Sequence, residues 1–305
     1  MATKDLTLKG LAKSYHSEDA AREVIEQFRW PDGVACPRCG SVDVVKVPGA
    51  RAGLYRCRDC RRSKTKNQFT VTVGTIFEDS HIKLNIWLQA ISLMCSSKKG
   101  ISAHQIHRQL GVTYKTAWFM CHRIRFAMEQ KPTRKMKGTI EADETYVGGK
   151  SRRVGQQTGL ENKTPVVSLV QRNGKVRSFV VPVVSAQTLR ETLLDNINPS
   201  SHLMTDELTA YGKIGEEFAS HDTVNHSRHE YVRGNATTNT VEGYFSLLKR
   251  GVNGTFHHIS REHLHRYLAE FDFRYNRRKV TDNERTASAI EGFEGKRLTY
   301  KDSLR

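Results

Sequence analysis

The sequence predicts a multidomain protein made of a small cysteine-bearing ribbon, a helical segment, and an α/β domain with a mixed sheet. Three observations predict this class. Two Cys-x-x-Cys pairs stand near the N-terminus, and a helical pattern broken by a glycine turn follows over residues 83–128. Further along, strand-like and helix-like stretches alternate, as they do where helices cover both faces of a sheet. We therefore expect three segments, at residues 1–80, 81–135 and 136–295.

Charge indicates the kind of partner. The 305-residue chain has a net charge of +17, and its first 135 residues contain 24 Lys and Arg against 11 Asp and Glu. Such an excess favours a polyanion, and nucleic acid in particular. No apolar run approaches the roughly 20 residues of a membrane span, and the N-terminus lacks the apolar core of a signal peptide. We expect a cytoplasmic protein with no membrane partner.

Four cysteines form the strongest local motif. The first pair is separated from the second by 17 residues, after a short predicted helix over residues 17–29. Two tight turns of this kind across a hairpin can place four thiolates tetrahedrally around a structural Zn²⁺. Four unrelated buried thiols are the less favoured alternative. The predicted zinc ligands are Cys36, Cys39, Cys57 and Cys60.

The same ribbon is strongly basic. Seven Lys and Arg lie between residues 51 and 66, opposed there only by Asp59. This density favours contact with phosphates, although a solvated basic face is the alternative. The β-branched stretch 69–82 is predicted to continue the strands of the ribbon. The predicted DNA-binding residues of the ribbon are Arg56, Arg58, Arg61, Arg62 and Lys64.

The helical segment has the outline of a helix-turn-helix. A helix is predicted over residues 84–94, followed by a short helix, a turn at Gly111 and a longer basic helix. Tyr114, Lys115 and Arg123 would lie on the recognition helix and contact DNA. A structural corner in a helical bundle would give a similar pattern.

In the back half, the order of the elements is informative. A strand holding Asp143 precedes a predicted hairpin, whose strands over 164–171 and 175–184 are joined at residues 172–174. Then come a helix, a strand ending at Asp206, a helix, a strand-like stretch and the helix that carries Glu242. This order is typical of a ribonuclease H-like domain with a mixed sheet.

Three acids in this order suggest a catalytic metal site. Asp143, Asp206 and Glu242 lie on a strand, at a strand end and on a later helix, so they can converge on Mg²⁺, which prefers oxygen ligands. Two such ions neutralise the attacking and leaving oxygens of a phosphodiester. Lys249 follows Glu242 by seven residues, on the same helix face. Taken singly, each acid also has an ordinary structural interpretation, such as an ion pair or a helix cap.

Neighbouring acids could replace members of this set. Glu141 should share the strand face of Asp143, whereas Glu144 should point to the other face. Glu207 is the weaker rival of Asp206, because the strand pattern ends at Asp206.

At these motifs the chain resembles the insertion-sequence DDE transposases of the ISXO-like type, bacterial proteins with a zinc ribbon and a ribonuclease H-like domain. The resemblance runs from about Trp30 to Arg278. It is carried by CPRCG, CRDC, EADETYVGGK, TDELTAY, NTVEGYFSLLKRGVNGTFHHIS and YLAEFDFRYNRR.

The resemblance implies that Asp143, Asp206 and Glu242 form the family's acidic triad and that Lys249 takes its basic position. It implies a bacterial protein, associated with the nucleoid when bound to DNA, that acts as a homo-oligomer on terminal inverted repeats and target DNA with Mg²⁺ or Mn²⁺. A non-catalytic DNA-binding regulator, or a domesticated transposase, is the alternative. The intact triad argues against it.

Overall fold

The structure is a computed structural model that describes residues 10, 16–63, 66–149 and 163–303. It divides into two compact units, one formed by Met1–Glu129 and Lys279–Arg305 and the other by Gln130–Arg278. The division into three segments stays a prediction. The first unit combines the ribbon with the helical segment, and it includes residues 279–295, which the sequence assigned to the third segment.

The first unit begins with a helix and a three-stranded antiparallel ribbon. Ser17 caps the helix by accepting a hydrogen bond from the backbone N–H of Ala20. The middle strand pairs with both neighbours and ends at Cys57, so the second cysteine pair follows directly from a fixed strand. The elements are α1 (Glu18–Arg29), β1 (Val44–Lys46), β2 (Tyr55–Cys57), α2 (Arg58–Arg62) and β3 (Gln68–Phe69).

The prediction of strands over residues 69–82 is wrong beyond Phe69. The chain turns repeatedly there, with backbone hydrogen bonds such as Val73 N to Thr70 O. Gly74 and Asp79 have positive φ values of 74° and 55°, which interrupt an extended chain. The consecutive side chains Ile76 and Phe77 are both buried, so the alternation of a one-sided strand is absent.

Three helices follow, and they agree with the predicted helical pattern. Between the second and third, Gly111 adopts the left-handed conformation (φ 65°) that ends a helix. Thr113 then caps the third by accepting a hydrogen bond from Thr116 N–H. The helices are α3 (Leu84–Ser96), α4 (Ala103–Leu110) and α5 (Tyr114–Met128).

The second unit is built on a five-stranded sheet in the order β6-β5-β4-β7-β8. β5 is antiparallel to both of its neighbours, β4 and β6, whereas β7 and β8 run parallel to β4. This mixed sheet confirms the predicted ribonuclease H-like fold class. The elements are β4 (Thr139–Gly148), β5 (Lys163–Gln171), β6 (Val176–Val180), α6 (Ala186–Asn196), β7 (His202–Thr205), α7 (Ala210–Gly215), β8 (Ser220–Thr223), β9 (Val232–Arg233), β10 (Ala236–Thr237), α8 (Asn239–Gly251) and α9 (Arg261–Asn276).

Helices cover both faces of this sheet. Along β5, Val166 and Val170 pack with α8 and α9, whereas Val167 and Leu169 pack with α6 and α7. This alternation explains why β5 is a continuous apolar run rather than a pattern of alternating polarity. Burial on both faces fixes the register of the strands, and the register in turn positions the acids.

The chain then returns to the first unit. α10 (Asp282–Glu291) begins with a capping box between Thr281 and Glu284, and a short helix α11 (Tyr300–Ser303) ends the described chain. Glu294 bridges to Thr75, which ties this C-terminal segment to the turns after the ribbon. Within the described part of the chain, no helix has the length and apolarity required to cross a membrane.

Candidate functional site

Strand register brings two of the predicted acids level with each other. β4 and β7 are parallel, and Glu141 pairs with Met204. Two residues further along both strands lie Asp143 and Asp206. Oxygens of Asp143, Glu144 and Asp206 all lie within 4.8 Å of one another. We call these three residues the acidic group.

Glu144 joins the acidic group although it points to the opposite face from Asp143, as alternation predicts. Its carboxylate accepts a hydrogen bond from the Tyr211 hydroxyl (2.8 Å), on the layer formed by α6 and α7. β7 ends at Thr205, and its pairing with β4 ends at Glu141. Side chains from both faces of β4 can therefore come together beyond the end of β7.

Burial and mutual repulsion perturb this group. Burial, together with the charges of Glu144, Asp206 and Glu242, raises the pKa of Asp143 to about 8. The pKa values of Glu144 and Asp206 are also raised, chiefly by burial. Carboxylates with raised pKa values repel one another when ionised. A bound cation relieves this repulsion, so the group favours a cation as its neutralising partner.

Glu242 lies beside the acidic group rather than within it. The Thr238 hydroxyl donates to its Oε1 (2.9 Å), and His226 Nε2 lies 3.3 Å from the same oxygen. Its charge contributes to the raised pKa of Asp143, which shows that the two carboxylates are close. The Glu242 side chain is 42% exposed.

The rival ligand Glu141 has a different environment. It is fully buried, and its Oε2 accepts hydrogen bonds from the backbone N–H groups of Thr240 (2.7 Å) and Val241 (3.1 Å). These groups form the N-terminus of α8, where a negative charge is stabilised. Arg172 Nε contacts the other oxygen at 3.0 Å. Glu141 therefore links the strand of Asp143 to the helix of Glu242. Both of its carboxylate oxygens are bound by groups of the protein.

The other rival, Glu207, organises a turn. Its carboxylate accepts hydrogen bonds from Ser227 (Oγ, 2.6 Å; N, 3.0 Å) and from the backbone N–H of His226 (2.8 Å). The Ser227 hydroxyl, with these N–H groups, lowers the pKa of Glu207 to about 2. The turn that it holds carries the imidazole that contacts Glu242.

Lys249 is exposed on α8, two turns beyond Glu242. Seven residues of helix span about 10 Å. At that separation its ammonium group does not reach the carboxylate of Glu242 along the helix face.

The four predicted zinc ligands come together in the ribbon. All four sulfur atoms lie within 4.8 Å of one another, with distances of 3.8 Å for Cys36–Cys60, 3.6 Å for Cys39–Cys57 and 3.5 Å for Cys39–Cys60. Tetrahedral ligation at a Zn–S distance of about 2.3 Å requires sulfur separations of about 3.8 Å. The donor type and the spacing therefore fit Zn²⁺.

Two of the basic residues of the ribbon are already paired. Arg62 contacts Asp59 (2.6 Å) and Asp43 (3.3 Å), and Arg58 contacts Asp43 (3.3 Å). The sequence count missed Asp43 because it lies across the ribbon from these arginines. These pairs are exposed and therefore weak, so phosphate can replace them. Lys64 lies outside the described residues.

One residue of the predicted recognition helix, Arg123, was assigned the wrong role. Tyr114 is 44% exposed and stacks on His104, while Lys115 lies over the ring of Tyr300 (4.6 Å). Arg123, predicted to contact DNA, is buried instead and donates to the carbonyl oxygens of Ile76 and Leu298, among others. It lies on the inner face of α5. The basic composition of the helix did not indicate which of its cations would face inward.

Known proteins share both parts of the chain. Residues 135–276 match the ISXO2-like transposase domain, and residues 16–63 match the transposase zinc-ribbon domain. An uncharacterized protein in the transposable element ISH50 of Halobacterium salinarum is 31% identical over 280 residues, which cover 86% of this chain and 92% of that protein. An uncharacterized transposase-like protein of Haemophilus influenzae is 29% identical over 106 residues, 35% of this chain and 85% of that protein.

The family match and the geometry agree at the same positions. The matched zinc-ribbon region contains the four clustered thiols, and the matched transposase domain contains the acidic group on its mixed sheet. The relative from Halobacterium spans nearly the whole chain, so the likeness covers both compact units. The chain belongs to the ISXO2-like transposase family.

Proposed function

We propose that the protein is a metal-dependent transposase that cleaves DNA at the ends of its element and joins the freed ends to target DNA. The observation that supports this most is the acidic group. Three carboxylates lie within 4.8 Å of one another, and the charge of Glu242 also acts on Asp143. A cluster whose members resist ionisation is costly to a fold, which favours a functional reason for keeping it.

The donor set fits a hard divalent cation. Carboxylate oxygens are the ligands that Mg²⁺ and Mn²⁺ prefer, and we assign Asp143, Asp206 and Glu242 to hold them. When bound, such ions supply charge neutralisation at the attacking and leaving oxygens of the phosphodiester. We assign a structural Zn²⁺ to the four thiols of the ribbon.

The cationic residues would hold the substrate. We propose that Lys249 contacts a phosphate near the cleaved bond, and that the ribbon arginines Arg56, Arg58, Arg61 and Arg62 contact the DNA backbone. Tyr114 and Lys115 would contact the terminal inverted repeat. Joining both ends of one element requires a catalytic centre at each end, so we propose a homo-oligomer on DNA.

The test uses the purified full chain and linear duplexes carrying the ends of its own element. Strand cleavage is measured in Mg²⁺, and binding is measured without added Mg²⁺ or Mn²⁺, so that the structural zinc of the ribbon is retained. Asp206→Asn keeps the shape of the side chain but removes its charge. We expect cleavage to fall about 10³-fold or more, equivalent to about 4 kcal/mol of lost transition-state stabilisation, with binding unchanged.

Asp195→Asn is the matched control, because Asp195 is an exposed acid on α6 of the same unit. It should cleave at the wild-type rate. Near-normal cleavage by Asp206→Asn would overturn the metal assignment. If the wild type binds these ends but cleaves none in Mg²⁺ or Mn²⁺, the protein is instead a DNA-binding regulator.

A further inference from the structure

A small hairpin stands directly before the Glu242 helix. β9 pairs with β10, with Arg233 opposite Ala236 and Val232 opposite Thr237. Residues 234 and 235 form the two-residue turn between them, and Gly234 has a φ of 60°. A positive φ at the first turn position is typical of a tight hairpin, and glycine adopts it without steric cost.

This hairpin exposes apolar surface. Tyr231 is 52% exposed and Val232 is 55% exposed, and residues 231–235 are exposed without interruption. Single exposed apolar side chains are ordinary. Here an aromatic and an aliphatic residue are adjacent, and an exposed arginine, Arg233, follows them. Arg228 and His229 are also exposed in the preceding turn, which suits a polyanionic partner.

The hairpin is attached firmly to the acids. The two Nη atoms of Arg172 donate to the carbonyl oxygens of Asn235 (2.9 Å) and Thr237 (3.4 Å), while its Nε contacts Glu141. On the other strand, Arg233 donates to Thr223 O (2.9 Å) at the end of β8. These contacts join the hairpin to the sheet and to the N-terminus of α8, so it is a fixed part of the site.

Tyr231 is also separated from Glu242 by only one side chain. Its ring centroid lies 5.3 Å from that of His226, whose Nε2 lies 3.3 Å from Glu242 Oε1. A nucleotide stacked on Tyr231 would therefore lie near Glu242, with the His226 ring between the tyrosine and the carboxylate.

We propose that Tyr231 and Val232 hold an unpaired nucleotide at the DNA end next to the bond that is cut, an inference that rests on the proposed function. A paired base is already stacked on both faces, so an exposed aromatic ring gains stacking only from a base whose face is open. Arg233 would contact the adjoining phosphate. A patch of two apolar residues is far smaller than a stable protein interface, which buries about 800 Å² on each partner.

The experiment compares two probes without added Mg²⁺ or Mn²⁺, so that no cleavage occurs and the structural zinc is retained. One is a duplex carrying the element end with full pairing, and the other has two mismatched base pairs at the cleavage position. We expect the wild type to bind the mismatched probe about 10-fold more tightly, a typical effect of one stacked base. Tyr231→Phe should keep this preference because the ring remains, and Tyr231→Ala should lose it.

Val183→Ala is the matched control, because Val183 is also 55% exposed in this unit but lies outside the hairpin. It should keep the preference. If Tyr231→Ala also keeps the preference, the inference is overturned. It is equally overturned if Tyr231→Ala weakens binding of both probes by the same factor, or if it changes only the oligomeric state.

Because binding is measured without added Mg²⁺ or Mn²⁺, the two proposals can fail separately. A preference that depends on Tyr231, in a protein that cleaves nothing in Mg²⁺ or Mn²⁺, would support the hairpin site and refute the catalytic proposal. Cleavage that depends on Asp206, with no preference for the mismatched probe, would do the reverse. Thermal melting of each variant shows whether it is folded.

Discussion

The protein contains two clusters of metal-type donors, and they are built in opposite ways. The thiol cluster comes from two turns of one ribbon, and three of its four cysteines are buried. The acidic group comes from β4 and the end of β7, with Glu242 supplied by α8, and its three members are only half-buried. A closed set of four soft donors suits a structural ion, whereas an open set of carboxylates leaves room for substrate.

The difference also appears in what each cluster costs the fold. The cysteines are close in sequence and are positioned by a short antiparallel ribbon. The acids are brought together by long-range pairing, and the pKa of Asp143 is raised to about 8 as a result. One cluster should therefore be needed for folding, and the other should be needed for activity at the expense of stability. The predictions below test that contrast.

The largest expected effect is at the ribbon. Cys36→Ser should remove zinc and unfold the ribbon locally, because a structural Zn²⁺ contributes about 10–16 kcal/mol of apparent binding energy in small zinc domains. Metal analysis should give about one zinc per wild-type chain and less in the variant, with new proteolytic cleavage in residues 30–66. Cys95→Ser, at a buried cysteine outside the cluster, should retain zinc. Zinc-free wild-type protein would contradict the prediction.

The second effect decides which carboxylate completes the acidic site. We expect Glu242→Gln to lower the cleavage rate by about 10³-fold and Glu144→Gln by about 10-fold, that is, about 4 and 1.4 kcal/mol. Glu144 accepts a hydrogen bond from the Tyr211 hydroxyl, whereas the Glu242 side chain is 42% exposed. Single-turnover cleavage at several Mg²⁺ concentrations measures both. If Glu144→Gln lowered the cleavage rate more than Glu242→Gln, Glu144 rather than Glu242 would be the third metal ligand.

A third prediction concerns the link between strand and helix. Glu141→Gln should lower the free energy of unfolding of the second unit by about 2–4 kcal/mol, because it leaves the Arg172 charge without its partner at a buried site. It should also lower cleavage, since Glu242 lies in the first turn of the helix that Glu141 holds. Denaturant unfolding measures the loss. Adding Arg172→Met to Glu141→Gln should restore part of the lost free energy of unfolding, because the unpaired charge is removed. If the losses of the two single variants simply add in the double variant, the two residues are not coupled.

The smallest effect is a pH dependence of stability. Asp143 has a pKa of about 8 when folded, against an ordinary value of 3.8. The unfolded chain therefore binds fewer protons between these values, so metal-free stability should fall as the pH rises from about 4 to about 8. Between pH 6 and pH 8 we expect a loss of about 1–2 kcal/mol. Denaturant unfolding in a chelator measures it.

Asp143→Asn provides the control for this effect, because an amide does not titrate. Its stability should decline less than that of the wild type over the same pH range. Added Mg²⁺ should also reduce the decline, since a bound cation neutralises the carboxylates. Equal slopes for wild type and variant would show that Asp143 is not the group responsible.

The hairpin and the Arg123 contacts illustrate what short-range patterns miss. Residues 231–237 form two strands of two residues each, too short to give a periodic signal. Arg123 belongs to a basic helix, but the direction of its side chain depends on which face of α5 meets the turns after the ribbon. Both outcomes depend on packing between segments that are distant in sequence.

The sequence by itself determined the cysteine cluster and, in the back half of the chain, a succession of strands and helices that places Asp143 on a strand, Asp206 at a strand end and Glu242 on a later helix. These features follow from local spacing and from the periodicity of hydrophobic residues, whereas the register of β4 against β7 made Asp143 and Asp206 level. Tertiary structure decided the remainder of the site. It brought Glu144 into the acidic group, used Glu141 to bind a helix 99 residues away, and paired Asp43 with the ribbon arginines. Such contacts depend on where a strand ends and which groups then lie opposite, which no local pattern encodes.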